Sequence, residues 1–266
     1  MGAMKTQSIS SWKSWKGEIG RLRDQDSNEN NKEEYVSPLL FRGHKCASWR
    51  LESTFERRGA EFPAMEEYGD TLKETKNAFE SYTGHKWDTI FMHRESPSPP
   101  VDFEFMVYLR HHGFPTPILD WTRSPYVASF FAFQEHGQEQ EIAIYSFREY
   151  RDGGKGGFTG ESSIVGCGPN LKTHRRHYVQ QSEYTFCRKK VENKWYYSSH
   201  EDALRFTNGK QDVATKYVLP SCIRNEALAD LDSMNINAYS LFGSEEGLAE
   251  MIANRTYGYM IPNKPL

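Results

Sequence analysis

The stretch that most limits the fold is 124–134, SPYVASFFAFQ. Ser124 can accept a free backbone N–H at the start of a helix. Pro125 suits the first helical position, where its missing N–H costs nothing. The residues from Pro125 onward make the most apolar helix of the chain, so other elements have to cover it. The chain can supply them. Of its 266 residues 37% are hydrophobic, and 6 Trp, 15 Tyr and 16 Phe rule out a chain disordered throughout.

A net charge of −3 argues against a wholesale nucleic-acid coat, although a local basic patch stays open. No apolar run approaches the ~18 residues of a membrane span, and the N-terminus has no apolar core of a secretory signal. Cys46, Cys167, Cys187 and Cys222 lie far apart with no CxxC. They read as free thiols in a reducing cytoplasm, with no metal site expected.

Along the chain, residues 9–23 place Trp12, Trp15, Ile19 and Leu22 on one helical face. Residues 24–34 have no apolar member and read as a solvated linker, so residues 1–35 are expected to be an N-terminal helix and linker ahead of a domain at 36–266. Val36 to Phe41 reads as a buried strand ending in Arg42-Gly43. Helices are expected at 64–82, 102–111, 125–134, 224–233 and 244–254, and strands at 141–147 and Tyr178–Phe186. Weaker strand signals lie at 194–198, 213–219 and around Ile236. The SPSPP loop ends 83–101, and the seven glycines of 151–170 make a mobile loop. This order predicts an α+β fold with a mixed, mainly antiparallel β core and flanking helices.

Phe41-Arg42-Gly43, followed by Trp49 and Leu51, and then HHGFPTPILDWTRSPYVASFFAF at 111–133 resemble the FRG domain. His111 departs from that family's usual Gln, and Pro117 from its common Arg. Val179-Gln180-Gln181 and the stretch from Leu241-Phe242 to Glu246-Gly247-Leu248-Ala249 resemble two further family segments. The succession of an arginine strand, a Thr/Ser segment before an apolar helix, a glycine-rich loop and Gln181-Ser182-Glu183 is similar to the Arg–Ser–Glu mono-ADP-ribosyltransferases. That resemblance implies their split sheet and NAD as substrate.

On that resemblance Arg42 would hold the NAD diphosphate, since its planar fork matches phosphate oxygens, and Gly43 would let backbone approach the ligand. Glu183 would stabilise the oxocarbenium-like ribosyl cation and hold the ribose 2′-hydroxyl, with Gln181 or Gln180 orienting the acceptor. Thr122 and Ser124 would shape the pocket with Asp120, His112 would touch the nicotinamide ribose, and Phe130, Phe131 and Tyr184 would pack the nicotinamide. Plainer roles stand beside these: Arg42 paired with Asp120, Ser124 as a helix cap, the histidines at a helix end. Two basic runs, Lys172 to His177 and Arg188-Lys189-Lys190, flank the Gln181–Glu183 strand. Arg175, Arg176 and Lys189 would then dock the phosphates of a nucleic-acid acceptor, RNA ahead of a protein, and Trp195 would stack a base.

The expected protein is a cytoplasmic NAD-dependent ADP-ribosyltransferase acting as a toxin or phage-defence effector. It would have an antitoxin or other inhibitory partner and no membrane association. The alternatives are a non-enzymatic FRG module that binds a nucleotide or partner protein, and an NAD glycohydrolase with water as acceptor.

Overall fold

The computed structural model describes residues 4–29, 36–59, 61–88, 99–135, 140–149, 160–169, 171, 173, 175–206 and 212–258. Strand β1 (Lys5–Ser8) and helix α1 (Trp12–Glu29) precede β2 (Leu40–His44) and a 3-10 turn at Glu56–Arg58. Then come α2 (Met65–Thr83), α3 (Phe103–His111), β3 (Ile118–Thr122), α4 (Pro125–Phe133), β4 (Glu141–Glu149) and β5 (Ser163–Gly166). The chain continues through α5 (Arg175–Val179), β6 (Ser182–Val191), β7 (Lys194–Tyr197), α6 (His200–Phe206) and β8 (Asp212–Pro220), and closes with α7 (Arg224–Ser233), α8 (Ala238–Phe242) and α9 (Glu245–Tyr257).

The strands form one open sheet in the order β1-β8-β4-β2-β3-β6-β5, with β7 also on β6. β1 runs parallel to β8, and every other pair is antiparallel. The expected mixed, mainly antiparallel α+β core is therefore present. No helix among the described residues is long and apolar enough to cross a membrane.

Strand alternation sends β4 side chains to two sides. Ile142 and Ile144 join a core with α1, α4 and α7, while Ala143, Tyr145 and Phe147 join another with Leu119, Trp121 and α6. A third core packs α2 and α3 on β6 and β7, through Leu72, Phe105, Phe186 and Tyr197. Helix α4 begins as its sequence dictates: Ser124 Oγ accepts from Val127 N at 3.3 Å, with Pro125 behind it. Trp12, Trp15, Ile19 and Leu22 are all buried in the α4 core, and the Trp15 indole N–H donates to Ser129 Oγ at 2.8 Å.

Several sequence expectations need correction. Helix α1 runs through Glu29, so residues 24–29 are helical rather than linker. β2 is shifted to Leu40–His44, which puts Arg42 and Gly43 inside the strand. The strand expected at Tyr178–Phe186 divides into α5, a turn with Gln181 at φ 49°, and β6. Ile236 lies in the turn between α7 and α8, where Asn237 caps α8 by accepting from Ser240 N at 2.9 Å. Most of the glycine-rich stretch (150–159), residues 89–98 of the SPSPP loop, and Lys172 and His174 of the first basic run lie outside the described residues.

Candidate functional site

β2 and β3 are neighbours in the sheet but share a single paired position, Phe41 with Thr122. β2 pairs over five positions with β4, and β3 over five with β6. Beyond the shared pair the two strands diverge, and a cleft of about 350 Å³ occupies the gap. Residues of both strand faces line it: Gly43, Asp120 and Thr122, but also Arg42, His44 and Trp121. Two strands paired along their length would leave no such access.

Arg42 spans the gap. Its Nη1 donates to the backbone oxygen of Asp120 and to Asp120 Oδ1, both at 2.6 Å. Arg110, from the end of α3, donates to the same Oδ1 through Nη2 at 2.7 Å and Nε at 3.2 Å. Burial alone would raise the Asp120 carboxyl. The two guanidiniums outweigh it and hold Asp120 well below the usual carboxylate range. The carboxylate keeps 38% side-chain exposure and lines the cleft.

Arg42 Nε donates to His44 Nε2 at 3.0 Å. A guanidinium has no acceptor, so His44 Nε2 is the lone-pair nitrogen and Nδ1 carries the proton. That Nδ1 is buried with no partner, a cost of about 1–3 kcal/mol. Burial, then the charges of Arg42 and Arg57, hold His44 well below its ordinary value, so the ring is neutral. His44 packs edge-on against Tyr145 at 4.9 Å, and Tyr145 donates to Trp49 O at 3.0 Å. Trp49 is thereby held at the rim with 41% of its surface exposed. Lys45 lies over its ring and is ion-paired with Glu135.

Gly43 also lines the cleft, but the reason it is a glycine is helix α4. A Cβ there would stand 2.0 Å from Ala128 O and 2.7 Å from Ala132 N. The close approach expected for a ligand is an approach of strand to helix. The Thr122 hydroxyl is committed to backbone, donating to Gln180 O at 2.7 Å and accepting from Ser124 N at 3.0 Å. Gln180 lines the cleft and donates through Nε2 to Leu241 O at 3.1 Å, which fastens α8 beside it. Arg176 adds to that clamp, with its guanidinium 5.5 Å from the Phe242 ring centre.

The other sequence candidates stand apart from the cleft. Glu183 follows cleft-lining Ser182 but pairs across the sheet with Trp121 and does not line the cavity. It is 5% exposed, and its carboxylate is ion-paired with Arg123. Gln181 is exposed and shares a small separate hollow with Ser124. His112 caps α3 and lies against Tyr108 at 4.3 Å. Of the aromatics expected around the nicotinamide only Phe131 lines the cleft. Phe130 is core, and the Tyr184 hydroxyl lies between His177 and His111 at 3.3 and 3.2 Å.

The acceptor set is also dispersed. Trp195 needs correction: it is 6% exposed, packed in the α2–α3 core under Arg188, and has no face free for a base. Arg175 and Arg176 lie just before the cleft end of β6, whereas Lys189 is seven residues along that strand from Ser182. At ~3.3 Å per residue this is roughly 23 Å away. Sequence reasoning missed Arg57, Arg110 and His44. His44 and Arg110 each stood next to a quoted motif, but Arg57 had no pattern around it. A second cavity of about 560 Å³, lined by His85, Trp87, Tyr108 and Tyr178, contains none of the charged cluster around Asp120.

No curated protein and no solved structure matches the chain. Residues 37–141 match the model of the FRG domain. Arg42 of the Phe-Arg-Gly strand and Asp120 of β3 both fall within that span, so the two strands that wall the cleft lie in the part of the chain that matches the FRG domain.

Proposed function

We propose that the cleft between β2 and β3 is a nucleotide site, that its ligand is NAD, and that the reaction is ADP-ribosyl transfer. The observation that carries this reading is the clustering of Arg42, Arg57 and Lys45 with Trp49 and Phe131 around one opening. Guanidiniums match phosphate oxygens, and an aromatic face suits a base or a nicotinamide ring. The volume lies at the lower end of the ~300–1,000 Å³ typical of ligand sites, so a dinucleotide would extend past the rim. The order of motifs along the chain, with its resemblance to the Arg–Ser–Glu transferases, supplies the reaction.

In that reaction the bond between nicotinamide and ribose C1′ breaks, and its electron pair leaves with nicotinamide. An acceptor nucleophile on nucleic acid or protein forms the new bond at C1′ and loses its proton to solvent. Glu183, next to cleft-lining Ser182 but not itself on the cavity wall, would balance the developing positive charge, which requires Arg123 to release it and its carboxylate to turn into the cleft. An NAD-consuming effector needs restraint, so an inhibitory partner belongs to this reading. A non-enzymatic nucleotide-binding module is the second reading, favoured by the Glu183–Arg123 ion pair.

Incubation of the intact chain with NAD and whole-cell lysate, followed by release of nicotinamide, separates the two. The transferase reading expects release that Glu183→Gln abolishes while NAD binding persists, because the carboxylate acts mainly in the transition state. Binding without release would leave the module.

A further inference from the structure

Arg57 lines the cleft and makes no side-chain hydrogen bond or ion pair among the described residues. Arg57 sits on the 3-10 turn, and that turn is fastened to the segment leading into β3. Thr54 Oγ1 accepts from Thr116 N at 3.0 Å and donates to Thr116 O at 3.2 Å. Phe55 N donates to the same carbonyl at 3.2 Å, and the Phe55 ring stacks on Phe62 at 5.8 Å. Glu56 closes the turn by accepting from Ser53 N at 2.7 Å. Arg57 is therefore held at the cleft by an ordered support rather than carried on a free loop.

Among the described residues the Arg57 guanidinium has no hydrogen bond or ion pair. Burial, then the charges of Arg42 and Arg110, disfavour its protonated form, and the carboxylates of Asp120 and Glu52 offset this only in part. Asp120 is already engaged by those two arginines, and Lys45 by Glu135. Among the described residues Arg42, Arg50, Arg57, Arg110 and Lys45 face three carboxylates, Asp120, Glu135 and Glu52, of which Glu52 is ion-paired with Arg50, and His44 is neutral. Two positive charges are left over. Like charges gathered without a counter-ion are held there at a cost, and an anion entering the cleft removes it.

We propose that Arg57 is the anion-binding residue of the cleft and that its ligand carries a diphosphate or an equivalent dianionic phosphate group. This deepens the nucleotide reading and rests on it, but not on the transfer reaction. Arg42, committed through Nε to His44 and through Nη1 to Asp120, is the positioning residue that holds the two walls in register.

Calorimetric titration of ADP, inorganic pyrophosphate and adenosine into the intact chain and its Arg57→Ala and Arg57→Lys variants tests the assignment. The parent should bind ADP and pyrophosphate, and adenosine far more weakly. Arg57→Ala should weaken ADP and pyrophosphate at least ten-fold and leave adenosine unchanged, and Arg57→Lys should recover part of the loss. The Arg57→Ala melting temperature should equal or exceed the parent's, because the removed charge makes no hydrogen bond or ion pair among the described residues and its burial and like-charged neighbours outweigh the pull of Asp120 and Glu52. Unchanged ADP affinity in Arg57→Ala, a parent that prefers adenosine, or a melting temperature several degrees lower in Arg57→Ala would each overturn the assignment. Pyrophosphate bound through Arg57 with no NAD bound or cleaved would uphold it while removing the transferase reading.

Discussion

At Gly43 and Asp120 a single residue sets the geometry of the cleft. Gly43 has no room for a Cβ because two backbone atoms of α4 lie where it would go. Gly43→Ala should cost about 3 kcal/mol or more, at the upper end of overpacking effects, as urea denaturation would register. Among the described residues Asp120 is the sole carboxylate ion-paired with Arg42 and Arg110. Its folded carboxyl titrates below the unfolded value of about 3.9. The stabilisation it brings is thus present above roughly pH 4 and is lost as pH falls from there through the folded value. Asp120→Asn should accordingly be less stable than the parent at neutral pH, with the gap closing below about pH 4. A gap that stays constant down to the acid limit would show that the ion pairs contribute nothing. The Arg42–Asp120 pairing was legible as one of two roles for Arg42. The part played by Arg110 was not, because nothing in the spacing of 110 and 120 says that a helix end and a strand meet at one oxygen.

The elements show where local patterns suffice and where they fail. α4 and α9 follow their capping residues closely, since Ser124 and Ser244 act within their own turn, and α7 occupies the expected 224–233 without a side-chain cap. β3 carried no strand signal of its own: Pro115 and Pro117 precede it, and its Asp120 and Thr122 owe their partners to distant segments. α5 and the start of β6 looked continuous because the backbone reversal at Gln181 is invisible to periodicity. The pairing of Gln180 with Leu241 joins two segments that sequence reading matched separately. Gln180→Ala should leave the Leu241 carbonyl unmatched at a cost of about 1–3 kcal/mol. Hydrogen exchange should speed up across α8 and α9 before the rest of the sheet. Ser129→Ala should strand the Trp15 indole N–H at a similar cost, measured by urea denaturation, because both groups are buried.

At the scale of the molecule, three cores meet one sheet, and the sheet is weakest where β2 and β3 share one pair. The N-terminal segment is part of this construction, with β1 on β8 and two α1 tryptophans buried against α4 and α7. Removal of residues 1–29 should therefore abolish cooperative thermal unfolding rather than trim an appendage. The sequence reading set Arg42, Asp120, Thr122 and Ser124 around one pocket; Arg42, Asp120 and Thr122 line the cleft and Ser124 does not. That reading did not anticipate that Glu183 would be ion-paired with Arg123 and absent from the lining of the cleft, since the partners of a strand residue depend on a register that only the folded sheet defines. The central claim is that the β2–β3 gap is the ligand site, and titration of NAD followed by backbone amide NMR tests it most directly. Saturable shifts confined to Arg42–Lys45, Arg57, Asp120–Thr122 and Gln180–Ser182 are expected. No saturable shift, or shifts centred on Trp87 and Tyr108 in the other cavity, would contradict it.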